Sequence, residues 1–184
     1  MLVHQAYRFE MDPNNTARSA LASHAGAARF AYNWGLATVI ERLDAHRALS
    51  ALAVRQGAGA DEAKSWATEL VRPVPWRLPA LRREWNAAKS EVAPWWAQNS
   101  KESYNSGLDA LARALKGFFD SRSGAREGPR VGFPRFHERG ARRSFRVTTG
   151  AFGVVNDRHV RLPRIGVIRT KEPTAELTAV RGAG

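Results

Sequence analysis

The chain has 184 residues and carries 29 lysines and arginines against 17 aspartates and glutamates, a formal net charge of +12. Hydrophobic residues make up 43% of it, which is enough to bury a core and excludes a disordered tail. The absence of cysteine excludes disulfides and cysteine-ligated zinc within this sequence. The excess positive charge instead predicts a polyanionic partner.

No apolar run approaches the roughly 20 residues that a membrane span needs. The first residues do not resemble a signal or transit peptide. From these features we expect a cytoplasmic, nucleoid-associated protein with no membrane partner.

The first elements are a strand and a block of helices. Alternating polarity over residues 2–11 predicts a half-buried strand. Asp12 and Pro13 are suited to start a helix, as N-cap and first helical residue. We expect this helix to end near Ala25 and Gly26 to separate it from a second helix over residues 27–49.

Helices also dominate the middle of the chain. Residues 56–60 read as a loop and residues 61–70 as a short helix. Three prolines exclude regular helix over residues 72–79, and helix resumes over residues 80–92. A longer helix is expected from Pro94 to Phe119, with an apolar stripe at spacings of three and four.

After residue 120 the hydrophobic period changes to two, which predicts several short strands. A lone N-terminal strand is not stable by itself, so we expect it to pair with these C-terminal strands. The predicted fold class is α+β, a small wedge-type β-barrel with a large helical insertion after its first strand. The predicted boundaries are 1–12 for the first strand, 13–120 for the helical insertion, 121–172 for the other strands and 173–184 for a frayed tail.

Catalytic and metal-binding patterns are not visible in the sequence. The five histidines are scattered, and we expect them to be exposed or to cap helices. The acids on predicted helices are expected on solvated faces, and no carboxylate cluster suggests a two-metal site. The tryptophans of the middle region read as core residues, with stacking on an unpaired base as the alternative. The acids so interpreted are Glu41, Asp44, Glu84 and Glu91, and the tryptophans are Trp66, Trp76, Trp85, Trp95 and Trp96.

The segment from Val131 to Arg146 combines three phenylalanines with five arginines. We expect Phe133 and Phe136 to anchor it in the core while its arginines face phosphates, which arginine binds in a bidentate way. On the second predicted helix, Arg29 and Asn33 lie one turn apart and could both face a nucleic-acid groove. The alternative is that Arg29 is a surface charge and Asn33 forms hydrogen bonds at a helix junction. The residues expected to bind the nucleic-acid backbone are Arg29, Asn33, Arg130, Arg135, Arg139, Arg142, Arg143 and Arg146.

Lys101 and Asn105 lie four residues apart near the start of the longer predicted helix. A lysine can bond guanine or phosphate, and an asparagine can bond adenine with two hydrogen bonds. From the residues alone, a solvated helix face is the preferred interpretation, and contact with a DNA groove is the alternative.

The motifs ARFAYNW, LDALARALKGFF, VGFPRF and VRLPRIGVIR, in this order, resemble the N-terminal half of the OrfB/TnpB proteins of insertion sequences. These are transposon-encoded relatives of the type V CRISPR effectors, and this half is often described as a helix-turn-helix transposase domain. The resemblance implies RNA-guided DNA cleavage by the full-length family members. It also implies a guide RNA derived from the transposon end and a double-stranded target DNA as partners.

The same resemblance implies roles for single residues. Lys101 and Asn105 stand where family members read a short DNA motif beside the target, and Thr148 or Thr149 matches a hydroxyl that assists them. The arginine-rich segment would face guide RNA and heteroduplex backbone.

The family's nuclease domain, with its carboxylates, Mg²⁺ and zinc ribbon, lies beyond the region matched here. We therefore expect no cofactor in this chain and binding without cleavage, with the nuclease half possible as a separate polypeptide. The alternatives are a guide-independent DNA-binding regulator or repressor, a structural RNA-binding protein, and a decayed reading frame.

Overall fold

The computed structural model describes residues 6–139 and 144–174. Helices form the first two thirds of the described chain, and a small sheet forms the last third. The helices are α1 (Asn15–Arg55), α2 (Ala60–Leu70), α3 (Leu78–Val92), a 3₁₀ turn (Trp96–Gln98) and α4 (Lys101–Ser123); the strands are β1 (Met11–Asp12), β2 (Gly153–Asn156), β3 (His159–Leu162) and β4 (Gly166–Thr170).

The four described strands form one antiparallel sheet in the order β1-β4-β3-β2. Met11 pairs with Thr170 and Asp12 with Arg169, which confirms that the N-terminal strand joins the C-terminal ones. The α+β class is confirmed, but the described strands form an open sheet and not the closed barrel that the sequence predicted. Because pairing with β4 extends over only two residues, the predicted long first strand is wrong for residues 6–10. The predicted domain boundaries stay a prediction.

Helix α1 is continuous, so the predicted break at Gly26 is wrong. Alanines surround this glycine, and their helix propensity together with packing outweighs the cost of one glycine, about 1 kcal/mol. The start also differs from the prediction. Asn14 is the N-cap, and its side-chain oxygen accepts a hydrogen bond from the Ala17 N–H at 2.8 Å, so Asp12 and Pro13 lie before the helix.

Helix α4 begins seven residues later than the prediction of a start at Pro94, since Ser100 caps it. The Ser100 hydroxyl accepts a hydrogen bond from the Glu102 N–H at 3.3 Å. The residues after Pro94 form the 3₁₀ turn instead. Arg164, in the turn between β3 and β4, donates a hydrogen bond to the Ala97 carbonyl. The sheet is thereby tied to the segment that leads into α4.

The core lies between α1, α3 and α4. Its largest fully buried side chains include Leu36, Leu81, Leu108, Leu111 and Leu115. At the crossing of α1 and α4 the backbones approach so closely that a Cβ on Gly107 would lie 2.0 Å from the Ala28 carbonyl oxygen. Only glycine fits at this crossing.

Two predictions about polar residues are wrong. Glu84 does not lie on a solvated face; it forms an ion pair with Arg42 in which the side chains are 18% and 12% exposed. His24 is neither exposed nor itself an N-cap but lies in the core at 2% exposure. Both residues connect helices that are distant in sequence.

The five tryptophans predicted as core residues fall into three groups. Trp76 and Trp96 are half-buried against the core. Trp85 is buried and packs edge-on against Trp34 and Phe30, as predicted for a core residue. Trp66 and Trp95 are instead 43% and 37% exposed. None of the helices within the described ranges is long and apolar enough to cross a membrane.

Candidate nucleic-acid interface

The start of α4 is fixed by a buried histidine of α1. His24 Nδ1 donates to the Ala20 carbonyl at 2.8 Å, and Nε2 accepts from the Ser100 N–H at 3.1 Å, which together describe one neutral tautomer. Burial lowers the pKa of His24, the bond to Ala20 opposes this, and the charge of Arg164 lowers the pKa further. The ring therefore stays neutral and holds the N-cap residue of α4 in place.

Glu102, in the first turn of α4, is a buried carboxylate at 7% exposure. It accepts hydrogen bonds from the Thr148 N–H at 3.2 Å and from the Thr148 hydroxyl at 2.5 Å. Burial raises the pKa of the Glu102 carboxyl, but hydrogen bonds from Thr148, Thr149 and Asn105 outweigh burial and leave that pKa below its ordinary value. The carboxylate thus stays ionised and gathers three of the predicted DNA-reading residues around it.

Glu102, Asn105 and Thr148 border a small polar groove of about 200 Å³ between α3, α4 and the segment before β2, which we call the reader groove. Hydroxyl, amide, carboxylate and guanidinium groups all face it. Such a mixture suits the edges of base pairs better than an apolar ligand. The groove is lined by Arg82, Glu102, Asn105, Ser106, Asp109, Arg146 and Thr148.

The structure brings the predicted reading residues together to different degrees. Asn105 and Thr148 line the reader groove, and Thr149 joins them through Glu102. Lys101 is exposed at the first residue of α4 and lies outside the groove lining. Residues 144–149 form no regular strand, so the strand that was predicted to carry Thr148 and Thr149 is not observed.

Arg29 and Asn33 bind the arginine-rich segment itself. The Asn33 amide nitrogen donates to the His137 carbonyl at 3.0 Å, and its oxygen accepts from the His137 N–H at 2.8 Å. Arg29 donates to the Arg139 carbonyl at 3.0 Å. We call these three bonds the loop latch. They hold residues 137–139 against α1.

Aromatic contacts reinforce the latch. The His137 ring stacks on Tyr32 with the ring centroids 3.8 Å apart and an angle of 9° between the planes. Burial lowers the pKa of His137, and the charge of Arg29 lowers it further. Phe133 packs edge-on against Phe118 at 5.2 Å, as predicted for an anchor, whereas Phe136 is 53% exposed and anchors nothing.

Of the predicted phosphate-binding arginines that the structure describes, Arg29 is half-buried and the others are exposed. Arg130, Arg135, Arg139 and Arg146 all have exposed side chains. The Arg146 N–H donates to the Ser106 hydroxyl at 3.1 Å, which fixes that part of the backbone next to α4. Arg142 and Arg143 lie outside the described residues.

A second, larger groove of about 560 Å³ lies between α1 and α4. Its described lining includes Arg29, Arg113 and Arg146. Asp109 neutralises one of them in part, since its carboxylate lies 2.9 Å from the Arg113 guanidinium. The remaining positive charge suits a polyanion.

Sequence reasoning missed Glu102, Arg82, Ser106 and Asp109. An acid in the first turn of a helix is a recognisable signal, because it complements the helix dipole. That signal alone predicts a surface cap and not a buried hub. The partner of Glu102 is Thr148, 46 positions away, and only the fold reveals the pair.

The fold is a helical bundle with a small sheet, and it carries a latched arginine-rich segment and polar grooves. These features are typical of the general class of nucleic-acid-binding modules. The comparisons with known proteins narrow this class. Residues 1–48 match the helix-turn-helix domain model of the IS605-type OrfB family. In this chain, residues 6–48 contain β1 and one continuous helix.

Two proteins of Mycobacterium tuberculosis, from the CDC 1551 / Oshkosh and H37Rv strains, are each 35% identical to the chain over 190 aligned residues. Both are named "Putative RNA-guided DNA endonuclease". The alignment covers 98% of this chain but only 37% of each relative. The resemblance to the OrfB/TnpB-type proteins is confirmed by these matches, and the chain spans little more than a third of the curated relatives' length.

Proposed function

We propose that this chain is the nucleic-acid-binding module of a TnpB-type RNA-guided DNA endonuclease, and that it binds a guide RNA and a double-stranded target DNA. The observation that carries the proposal is the reader groove, where Asn105 and Thr148 converge around one buried carboxylate. The names of the two relatives support RNA guidance. Cleavage, Mg²⁺ and zinc belong in this proposal to a RuvC-like part that the described residues do not include.

Each reading residue has a chemical role in the proposal. Asn105 can accept from and donate to adenine in the major groove, and Thr148 and Thr149 can bond either type of base edge. Lys101, one turn before Asn105 on the helix, supplies a positive charge for guanine or phosphate. Glu102 does not contact DNA; its role is to position Thr148.

The exposed arginines supply the part of binding that is independent of sequence. Arg130, Arg135, Arg139 and Arg146, with Arg142 and Arg143 beside them in sequence, would hold the backbone of the guide RNA and of its heteroduplex with the target. Changing Arg139, Arg142 and Arg143 together to Ala should weaken duplex binding. The slope of the logarithm of the binding constant against the logarithm of salt concentration should become shallower by about 0.9 per lost phosphate contact. An unchanged slope would remove these residues from the interface.

The experiment that tests the reading role uses a library of duplexes with a randomised segment, selected by the purified chain with and without bound RNA. We expect a short preferred motif for the wild type and loss of that preference in Lys101→Ala and Asn105→Ala, with RNA affinity unchanged. Lys64→Ala is the matched control, because Lys64 lies on α2 and pairs with Asp61 at the surface. Equal weakening on every duplex would contradict a role in reading.

The second candidate is a guide-independent DNA-binding regulator, which the match of residues 1–48 to a helix-turn-helix domain model favours. RNase treatment separates the two functions. If guide RNA is required, removing it abolishes selection of the motif. A regulator keeps its preferred duplex after RNase.

A further inference from the structure

A groove of about 540 Å³ lies between α1 and the 3₁₀ turn and shares no lining residue with the reader groove. We call it the Trp95 groove. Its lining combines aromatic rings, polar side chains and a glycine of α1. The residues that define it are Gly26, Arg29, Phe30, Asn33, Trp95 and Gln98.

The aromatic part of the lining is both fixed and accessible. Phe30 meets the Trp95 ring edge-on at 5.1 Å with an angle of 72°, and the Tyr104 ring lies 6.3 Å away on the core side. Trp95 nevertheless stays 37% exposed, whereas the neighbouring Trp85 is 4% exposed. A rigid aromatic ring that remains open to solvent is the element on which bases stack in single-strand binding proteins.

Gly26 lines the groove without contributing a side chain. This glycine lies inside α1, where alanine would favour the helix, and a Cβ added there would meet no atom within 4 Å. Neither a turn nor close packing explains the glycine, in contrast to Gly107. Because Gly26 lines the same groove as Trp95, a side chain at this position would reduce the space in the groove.

The lining of the groove also includes a guanidinium and an amide, which can bind the phosphate and the base of a nucleotide. Among the described residues, the Arg29 guanidinium donates one hydrogen bond, to the Arg139 carbonyl. A guanidinium has five N–H donors in all, so it can also bind a phosphate. Gln98 also lines the groove and is exposed, with an amide that can bond a base edge. Positive charge, an aromatic face and an amide together favour a base with its phosphate over a purely apolar ligand.

We propose that the Trp95 groove binds one unpaired nucleotide of a single strand, with the base stacked on Trp95 above Gly26 and the phosphate near Arg29. The site is distinct from the duplex-reading groove and rests on the proposed function only in requiring a nucleic-acid partner. The same chemistry serves a guide-RNA nucleotide and a displaced DNA nucleotide, which the test distinguishes.

The test compares variants of the full chain for binding a 12-nucleotide oligo-U RNA, a 12-nucleotide oligo-dT and a 20-base-pair duplex by fluorescence anisotropy. Trp95→Ala should weaken single-strand binding about fivefold to a hundredfold and leave duplex binding unchanged, since one stacked base is lost. Trp95→Phe should restore most of the affinity. Trp66→Ala is the control, because Trp66 is 43% exposed on α2, away from the groove.

Gly26→Leu provides a second, independent variant. It should occupy part of the groove and weaken single-strand binding without lowering the melting temperature, because leucine favours the helix over glycine and its Cβ has no atom within 4 Å. A stronger effect of the variants on oligo-U than on oligo-dT assigns the site to RNA, and the reverse assigns it to the DNA strand.

Two results overturn the site while the proposed function stands: duplex binding without single-strand binding by the wild type, or single-strand affinity that is equal in the wild type, Trp95→Ala and Gly26→Leu. Equal losses in Trp66→Ala and Trp95→Ala overturn it as well. A wild-type chain that binds none of the three nucleic acids overturns both the site and the proposed function.

Discussion

Glu102 and Thr148 form a hub in which the buried carboxylate accepts both the N–H and the hydroxyl of the exposed threonine, at 3.2 and 2.5 Å. The hub joins the first turn of α4 to the segment before β2. Removing the threonine hydroxyl leaves the buried Glu102 carboxylate with one hydrogen bond fewer, which costs about 1–3 kcal/mol. The pair therefore links stability to the geometry of the reader groove.

The first prediction concerns this pair. Glu102→Ala should lower the free energy of unfolding by about 2–3 kcal/mol and Thr148→Val by about 1–2 kcal/mol. Because both changes break the same hydroxyl–carboxylate bond, the double variant should lose less than the sum of the two. Urea unfolding of all four proteins measures this coupling. Glu91→Ala, at an exposed position of α3, should change stability by less than about 0.5 kcal/mol, and additive losses in the hub would contradict the pairing.

A second prediction follows from the crossing of α1 and α4. Gly107→Ala places a methyl group 2.0 Å from the Ala28 carbonyl oxygen, a backbone atom that can move only with the helix. We expect the free energy of unfolding to fall by about 3 kcal/mol or more, since the two helices must separate.

Gly117→Ala is the matched control for Gly107→Ala in the same helix. The nearest atom to its added Cβ is the end of the Arg126 side chain at 3.9 Å. The Gly117→Ala variant should raise the free energy of unfolding by up to about 1 kcal/mol through helix propensity alone. Thermal unfolding distinguishes the two, and similar melting temperatures for both variants would contradict the close approach.

The third prediction concerns pH. Burial lowers the pKa of His24 and of His137 in the folded chain below the ordinary 6.5, so the unfolded chain binds protons more readily than the folded chain. Stability should therefore be full above pH 6.5 and fall as the pH drops from 6.5 towards the folded pKa values. Melting temperatures measured from pH 7.5 to 5.5 test this.

Variants of the two histidines assign the pH effect. His24→Gln and His137→Gln should each reduce the fall in melting temperature with acidification, and the double variant should reduce it most. Both substitutions can also lower stability at pH 7.5, so the comparison is the slope and not the absolute value. A slope that stays at the wild-type value in the double variant would show that other groups control the acid response.

The sequence allowed prediction of the helical and strand regions but not of the contacts that build the site. Hydrophobic period identified α2, α3 and the apolar stripe of α4, because these helices bury one face. It failed at Gly26, where the surrounding alanines and tertiary packing override one unfavourable residue. Local signals have no access to such packing.

Among the site residues, helix spacing pointed to Asn105, Arg29 and Asn33, whereas Thr148 was found only through the family resemblance. Arg29 and Asn33 have a different role from the one predicted. Both were expected to face nucleic acid, yet their recorded bonds go to the backbone of residues 137–139. A polar side chain on a helix reads the same in sequence whether its partner is solvent, a ligand or a distant loop. Contacts over more than 100 positions decide which it is.

The last prediction concerns the loop latch. Asn33→Ala removes both hydrogen bonds to the His137 backbone, which together contribute about 1–3 kcal/mol to keeping the segment closed. Trypsin should then cut the bond after Arg135 about ten times faster or more, because cleavage follows the population of the opened segment. Time-resolved mass spectrometry measures the rate, with the bond after Arg77 at the start of α3 as the internal reference. Asn33→Ala should also weaken binding of duplex and RNA alike, since the exposed arginines lose their fixed backbone. Equal acceleration at both bonds would indicate global unfolding, and an unchanged rate after Arg135 would show that the latch does not hold this segment.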